Sequence, residues 1–128
     1  MSRTDRGFTL IELAIVMAII AILAAVAIPR SANLSGRAGD SAVEATAAAV
    51  QAAYAVALAD AGSAPSCAAL FSRMSRVSGT GNTRTIASSG GVTTIVCTET
   101  SGVATQAAIY NDRAATYKDA ASALVLQF

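Results

Sequence analysis

The sequence contains no histidine and no tryptophan, and it has only two cysteines among 128 residues. Without histidine, Ser-His-Asp and Cys-His nucleophilic arrangements cannot be built. Two cysteines are too few for a structural zinc site, which takes four Cys or His ligands. The acidic side chains do not cluster as calcium ligands do, and the glycine-containing stretch 79–82 lacks the Lys-Ser of a phosphate-binding loop. We therefore expect no enzyme, no metal and no cofactor.

Aromatic and charged residues are also scarce, at 5% and 13% of the chain, and the net charge is +1. A nearly neutral chain has no general electrostatic affinity for nucleic acid. With so few aromatic residues, and with hydrophobic content dominated by alanine, any soluble core must be small. These absences favour a structural protein over a catalyst.

The most prominent feature present is an apolar run from Phe8 to Ile28 that is interrupted by one charge, Glu12, and closed by Pro29. About 21 helical residues rise roughly 31 Å, which matches the hydrocarbon thickness of a bilayer. The run therefore predicts a helix that spans a membrane.

The residues before this run form a short polar leader, 1–7, in which Arg3 and Arg6 outweigh Asp5. Positive residues before a span hold that end in the cytoplasm, so the body of the protein is expected on the far side of the membrane. A carboxylate inside a span is costly, but Glu12 lies near one interface and near a helix N-terminus, where negative charge is favoured.

The stretch from Gly7 to Glu12 (GFTLIE), with a basic leader before it and Pro29 after the apolar run, resembles the class III signal of type IV pilins and of type II secretion pseudopilins. In that family a prepilin peptidase cuts after the glycine and methylates the new N-terminal phenylalanine. The resemblance implies cleavage between Gly7 and Phe8, N-methylation of Phe8, and assembly into a filament through the apolar helix. Major pseudopilins typically carry a C-terminal calcium loop with acidic and tryptophan-containing signatures, so the lack of tryptophan favours a pilin.

Two other interpretations of the N-terminus stay open. Ala25-Val26-Ala27 fits the small-residue pattern of an ordinary secretory signal, which would release a soluble domain after Ala27. A plain, uncleaved membrane anchor is the other. The carboxylate of Glu12 and the length of the apolar run argue against the secretory signal, whose apolar region usually has about 7 to 15 residues.

Glu12 has two possible roles in a filament subunit. Its carboxylate could pair with the Phe8 amine of a neighbouring subunit, since neither charge is well solvated once helices bundle. Alternatively, Glu12 could satisfy the N-terminus of its own helix. The pairing is the hypothesis for subunit assembly.

Cys67 and Cys97 lie in the part of the chain expected on the oxidising side of the membrane, where disulfides persist. We predict a disulfide between them, with two free buried thiols as the alternative. The bond would close a loop of about 31 residues.

Beyond the span, Pro29 predicts a kink, because proline removes a backbone donor and clashes with the preceding turn. Residues 41–60 are rich in alanine and predict a helix that ends before Gly62 and Pro65. Its apolar stripe, with Glu44 and Gln51 off it, is expected to pack on a sheet. The predicted stripe consists of Val43, Ala47, Val50, Tyr54, Ala57 and Leu58.

The C-terminal part reads as a small antiparallel sheet. A short helix is expected at 67–74, followed by strands at 84–88, 92–98 and 103–110 that are rich in Val, Ile and Thr and separated by Ser-Gly turns. Residues 123–128 are a candidate fourth strand or edge cover. The fold class is therefore α+β, a long N-terminal helix packed on three or four strands, with segments 1–7 (leader), 8–28 (span), 29–62 (amphipathic continuation) and 63–128 (globular head).

The one local excess of positive charge consists of Arg73, Arg76 and Arg84. We interpret it as a solvated surface, and the alternative is a patch that binds DNA or an acidic neighbouring subunit.

The predicted function is a structural pilin. It is held in the bacterial inner membrane with its head outside the cytoplasm and is then polymerised into an extracellular pilus for adhesion, twitching motility or DNA uptake. Its expected partners are copies of itself, the prepilin peptidase, the pilus assembly machinery and the lipid bilayer. A type II secretion pseudopilin and a DNA-binding minor pilin are the alternatives.

Overall fold

The computed structural model of the protein describes residues 8–128, with the side chains of residues 28–33 left out of the description. The predicted leader, 1–7, including Gly7 of the cleavage site, lies outside the described residues, and so does the side chain of Pro29. The chain divides into two units after Asn33. We call Leu34–Phe128 the globular unit.

Helix α1 comprises Leu10–Ala61 and belongs to both units. Two stretches of it are long and apolar enough to cross a membrane, Leu10–Ala27 with mean hydropathy 2.9 and Leu34–Ala61 with 1.4. They differ in burial, because none of the first is buried whereas 33% of the second is. The second stretch is therefore the core helix of the globular unit, and the first is the candidate span.

The globular unit continues after α1 with one short helix and four strands. These are α2 (Cys67–Ser72), β1 (Thr83–Ser88), β2 (Gly91–Thr100), β3 (Val103–Asn111) and β4 (Leu124–Gln127). The strands form one antiparallel sheet in the order β1-β2-β3-β4, so each strand pairs with its neighbour in sequence. A long helix followed by this meander confirms the predicted α+β class, and 123–128 does supply a fourth strand.

Helix α1 and the sheet enclose a single apolar core. Val43, Ala47 and Val50 of α1 are buried against Ile95 of β2 and Ile109 of β3. The alternation of buried and more exposed residues along β2 and β3 shows that only one face of the sheet contributes to this core. The prediction that the helix stripe packs on a sheet is thereby confirmed.

The stripe itself was wrong at one position. Leu58 is 40% exposed, whereas Ala53, which the stripe did not include, is 6% exposed and belongs to the core. Tyr54 is half-buried and stacks on Phe128 at the C-terminus, with the two ring centroids 4.3 Å apart. Alanine lines both sides of this part of the helix, so side-chain size alone does not mark the buried face.

Helix α2 is shorter than predicted and ends at Ser72 instead of residue 74. Ser66 caps its N-terminus by accepting a hydrogen bond from the backbone N–H of Ala69. Cys67 of this helix forms a disulfide with Cys97 of β2, and their Cα atoms are 5.9 Å apart. The predicted bond is therefore present, and it ties α2 to the sheet. Both cysteines are buried in the core.

Two glycines of α1 let another backbone approach the helix closely. A Cβ atom at Gly39 would lie 2.5 Å from the backbone nitrogen of Ala114, and one at Gly36 would lie 3.0 Å from the Cβ of Ala115. The backbone N–H of Ala115 donates to the carbonyl oxygen of Gly36 at 3.3 Å. The absence of side chains at these positions therefore allows the segment after β3 to lie directly on α1.

Candidate functional site

The N-terminal end of α1 carries a reciprocal cap formed by Thr9 and Glu12. The backbone N–H and the hydroxyl of Thr9 both donate to Glu12 Oε2 at 2.9 Å, and the backbone N–H of Glu12 donates to Thr9 Oγ1 at 3.3 Å. This is a capping box, in which a Thr and a Glu three residues later satisfy two free N–H groups of the first helical turn. The prediction that Glu12 caps its own helix did not include Thr9, although the pattern T-x-x-E at 9–12 signals this partner.

The cap leaves part of the Glu12 carboxylate available. Within residues 8–128, the hydrogen bonds to Glu12 reach Oε2, and Oε1 accepts none. Glu12 is exposed, and Phe8, four residues earlier, is 81% exposed. A carboxylate has about four acceptor positions, so Glu12 can cap its own helix and still bind a cation from another molecule.

The surface around this end is apolar on all sides. Leu10, Ile11, Leu13 and Ile15 are all more than half exposed, and the same holds for many of the large apolar residues up to Val26. A helix that is hydrophobic all round is stable only in lipid or among other apolar helices. The arrangement can therefore anchor the chain in a bilayer or bury it among copies of itself.

The solvent side of α1 in the globular unit is lined by small residues. Ala45, Ala48, Ala52 and Val56 are exposed at spacings of three and four, which places them on one side of the helix. Small side chains allow a neighbouring helix to approach closely. These four side chains are exposed, so this side of the helix can pack against another chain.

The arginine cluster is largely occupied by bonds within the chain. Arg84 lies over the ring of Phe71, with 5.0 Å between its guanidinium carbon and the ring centroid, and donates to the carbonyl oxygen of Gly81 at 2.8 Å. Arg73 forms an ion pair with Asp60 at 2.6 Å. This geometry favours the interpretation of these residues as surface charges over a patch for DNA.

Among residues 8–128, no three His, Cys, Asp or Glu side chains lie together in a group that could hold a metal ion. A single carboxylate, Asp40 of α1, instead joins two segments that are far apart in the sequence. Its Oδ1 accepts from the backbone N–H groups of Thr116 at 2.9 Å and Tyr117 at 3.4 Å, and its Oδ2 accepts from the Thr116 hydroxyl at 3.2 Å. The hydrogen bond from the Thr116 backbone is the main reason that the pKa of Asp40 lies below its ordinary value.

These bonds predict how acid affects the globular unit. The pKa of Asp40 is lower in the folded chain than in the unfolded chain, where it is about 3.9. The ionised carboxylate therefore stabilises the fold above the pKa of the unfolded chain. This contribution is lost as the pH falls through the pKa of the folded chain. We expect Asp40→Asn to flatten the loss of stability below about pH 4. Thermal unfolding of the full chain in neutral detergent, followed by circular dichroism between about pH 2 and 7, measures this slope.

Glu44→Gln is the matched control, because Glu44 is an exposed carboxylate one turn further along α1. The control should retain the acid slope of the unsubstituted chain. Equal slopes for Asp40→Asn and the unsubstituted chain would show that the bonds to Thr116 and Tyr117 do not contribute to acid sensitivity.

Comparison with known proteins gives the family. Residues 2–28 match the family model described as the prokaryotic N-terminal methylation motif. The chain is also 48% identical, over 92 residues, to the protein described as type IV narrow pilus major component PilA5 of Thermus thermophilus. The matched region is 72% of this chain and 78% of that relative, so it extends well beyond the N-terminal motif. The chain belongs to the type IV pilins.

Membership of this family explains the exposed apolar helix. The exposed apolar helix Leu10–Ala27 anchors the subunit in a membrane and then becomes part of a filament. The chain is a structural subunit of a pilus and a substrate of prepilin peptidase. The α+β architecture of helix and four-stranded sheet is the pilin arrangement expected from the GFTLIE motif.

Proposed function

We propose that this pilin is the major subunit of a narrow type IV pilus, cleaved between Gly7 and Phe8 and methylated on the new Phe8 amine. The observation that carries the proposal is the 48% identity to a narrow-pilus major component across most of both chains. The match to the methylation motif over residues 2–28 supports the processing step. The pseudopilin alternative receives no comparable support.

Before assembly, the subunit is stored in the bacterial inner membrane with residues 1–7 in the cytoplasm and the globular unit outside. The excess of Arg3 and Arg6 over Asp5 supports this orientation. The disulfide Cys67–Cys97 is consistent with an oxidising compartment for the globular unit. Assembly machinery in the inner membrane then extracts the helix from the bilayer.

In the filament, the helices of successive subunits bundle, and Glu12 of one subunit pairs with the Phe8 amine of another. The Oε1 of Glu12 accepts no hydrogen bond from residues 8–128, because the cap with Thr9 uses the other oxygen, and this supports the role. The alanine-lined side of α1 in the globular unit extends the same packing surface. A bend at Pro29 would adjust the helix within the bundle.

The filament would serve adhesion, twitching motility or DNA uptake. The paired or stacked states of Arg73 and Arg84 give no support to direct DNA binding by the subunit as in a DNA-binding minor pilin. The proposed role of the subunit is therefore to build the filament, and not to bind DNA itself.

Filaments sheared from cells test the proposal. Mass spectrometry of their main subunit should give this chain starting at Phe8 with one added methyl group. Cells that lack the chain should carry no such filaments. A mature chain that starts at Ile28 would instead support the secretory signal, and an intact Met1 would support a plain anchor.

A further inference from the structure

The disulfide lies next to a charged side chain on the inner face of the sheet. Cys97, Thr98 and Glu99 follow one another near the end of β2, and they are buried, exposed and half-buried in turn. Because successive side chains of a strand point to opposite faces, Cys97 and Glu99 lie on the same face, the one that contributes to the core. The shift of register at this point places its extra residue, Thr105, on β3, so the alternation along β2 is kept.

Cys67 is held at two points by these residues of β2. Its side chain is bonded to Cys97, and its backbone N–H donates to Glu99 Oε1. A further hydrogen bond, from the backbone N–H of Ala104 to the carbonyl oxygen of Pro65 at 2.9 Å, holds the chain just before α2 on β3. The Glu99 carboxylate is therefore fixed against one of the two residues that form the disulfide.

The elements packed around the disulfide carry few other charges. Helix α2 and strands β3 and β4 contain none, and Glu99 is the one charged residue of β2. Arg84 of β1 lies over the ring of Phe71, near the opposite end of α2 from Cys67. The charged residues of α1 in the globular unit are exposed or are bonded to other groups, and they are Arg37, Asp40, Glu44 and Asp60. Glu99 is therefore the charge that acts directly on the disulfide.

A thiol opens a disulfide by attack of its thiolate on one of the two sulfur atoms. If the sulfur of the reductant bonds to Cys97 Sγ, the bond between the cysteines breaks and its electron pair leaves with Cys67 Sγ. If the reductant bonds to Cys67 Sγ, the electron pair leaves with Cys97 Sγ. A second thiol then attacks the mixed disulfide, so two thiols are oxidised to a disulfide and their protons pass to the two reduced cysteines. In both routes Cys67 Sγ is one of three sulfur atoms that share a negative charge as the bond breaks.

We propose that the charge of Glu99 protects the disulfide from opening by thiols. A carboxylate beside Cys67 opposes the negative charge that either route places on Cys67 Sγ. Its hydrogen bond also occupies the Cys67 N–H, a donor that could otherwise stabilise a thiolate. A disulfide whose thiolate is disfavoured is hard to reduce, as structural disulfides are. Glu99 thus makes this bond a permanent part of the fold and not a redox switch.

Burial protects the disulfide in a second way. Cys67 is 0% exposed and Cys97 is 2% exposed, so a reductant reaches either sulfur only when the start of α2 moves away from the sheet. The hydrogen bond between Cys67 and Glu99 resists this movement whether or not the acceptor is charged. A test must therefore separate the charge of Glu99 from its hydrogen bond.

The size of the charge effect follows from Coulomb's law. Two like charges about 6 Å apart, at an effective dielectric constant of about 20, change an ionisation equilibrium by about a hundredfold. Water that enters around the sulfur atoms weakens the repulsion, so we expect Glu99 to lower the thiolate fraction of Cys67 about tenfold. Because three sulfur atoms share the charge during opening, the effect on the rate is smaller, about threefold.

Opening of the disulfide by dithiothreitol, in the full chain kept in neutral detergent, tests the proposal. Glu99→Gln keeps an oxygen that accepts from the Cys67 N–H but removes the charge, so it should be opened about threefold faster. Glu99→Ala loses both and should be opened faster still. Glu44→Gln, which removes an exposed carboxylate of α1, is the control and should keep the unsubstituted rate. Gel shifts after alkylation of the released thiols measure these rates.

The ionisation of Cys67 gives the second measurement. In the variant Cys97→Ala, Cys67 is the one thiol of the chain, and the nuclear magnetic resonance signal of its labelled Cβ reports the thiolate fraction. Adding Glu99→Gln should raise this fraction about tenfold at a pH where the thiol is mostly protonated. Adding Glu44→Gln should leave it unchanged.

The charge of the reductant gives a third measurement, which needs no variant and decides the question if Glu99→Gln does not fold. Cysteamine carries a positive charge and mercaptoethanesulfonate a negative one. After correction for their own thiolate fractions, cysteamine should open the unsubstituted disulfide faster, and added salt should reduce the difference.

Three results would overturn the inference. Unsubstituted rates and an unchanged Cys67 thiolate fraction in Glu99→Gln would show that Glu99 acts through its hydrogen bond alone. An equal rise in Glu44→Gln would show that net charge is responsible and not the position of Glu99. Equal rates with the two charged thiols would show that no charge beside the sulfur atoms resists the reductant. None of these measurements needs a filament, so each outcome leaves the proposed function as it stands.

Discussion

Replacing Cys67 and Cys97 together by alanine is expected to lower the free energy of unfolding of the globular unit by about 3.5 to 4 kcal/mol. The two residues are 30 positions apart, and the bond between them restricts the unfolded chain by the closure entropy of that loop. Domains of this size have only about 5 to 15 kcal/mol of net stability, so the loss is a large share of the total. It corresponds to a fall in melting temperature of about 15 to 25 °C.

Alanine is the suitable replacement because both cysteines are buried, and a serine hydroxyl there would add the cost of an unpaired polar group. Thermal unfolding of the full chain in neutral detergent measures the change. A thiol reductant should lower the melting temperature of the unsubstituted chain and leave the double variant unchanged. Equal melting temperatures for the oxidised and reduced chains would show that the bond does not contribute to stability.

The elements of the globular unit could be predicted because each has a local signal. Gly62 adopts a positive φ of 65° directly after α1, as a helix-ending glycine does. Val, Ile and Thr mark β2 and β3, and Gly102 forms the turn between them. The strand bounds are wrong by at most two residues at each end, because strands extend as far as pairing partners exist and sequence patterns do not show the partners.

What the sequence could not reveal depends on contacts between distant segments. The register of β4, in which Val125 lies opposite Ala108, is fixed by the neighbouring strand and not by the sequence of the tail. Asp40 binds Thr116, which lies 76 positions later, and no local pattern links them. The buried pair of Asn111 and Thr93, whose side chains are joined by a hydrogen bond of 2.9 Å, is hidden for the same reason.

The residues of the candidate assembly site lie within a few positions of one another, so local sequence patterns could predict them. Phe8 and Glu12 could be singled out from the GFTLIE motif alone. The cap between Thr9 and Glu12 is equally local and could have been read from the sequence. How these residues contact a neighbouring subunit depends on a second chain, and it therefore stays a prediction.

Glu12→Val is expected to abolish filaments while leaving the subunit in the membrane. Two unit charges about 4 Å apart attract by about 4 kcal/mol at an effective dielectric constant of about 20, which corresponds to roughly a thousandfold in an equilibrium constant. Valine leaves the Phe8 amine of the neighbouring subunit without its partner among apolar helices. Insertion of the single subunit should be kept or improved, because a charge is removed from the span.

Glu12 can both pair with the neighbouring amine and cap its own helix, and the variant Glu12→Gln distinguishes these two roles. Glutamine keeps the acceptor oxygen that Thr9 needs and can complete a capping box, but it carries no charge. If the ion pair drives assembly, both variants should lose filaments, whereas if the cap alone matters, Glu12→Gln should assemble normally. Immunoblots of sheared filaments and of the membrane fraction measure assembly and insertion separately. Normal numbers of filaments from Glu12→Val would show that neither the pairing nor the cap is needed for polymerisation of this pilin.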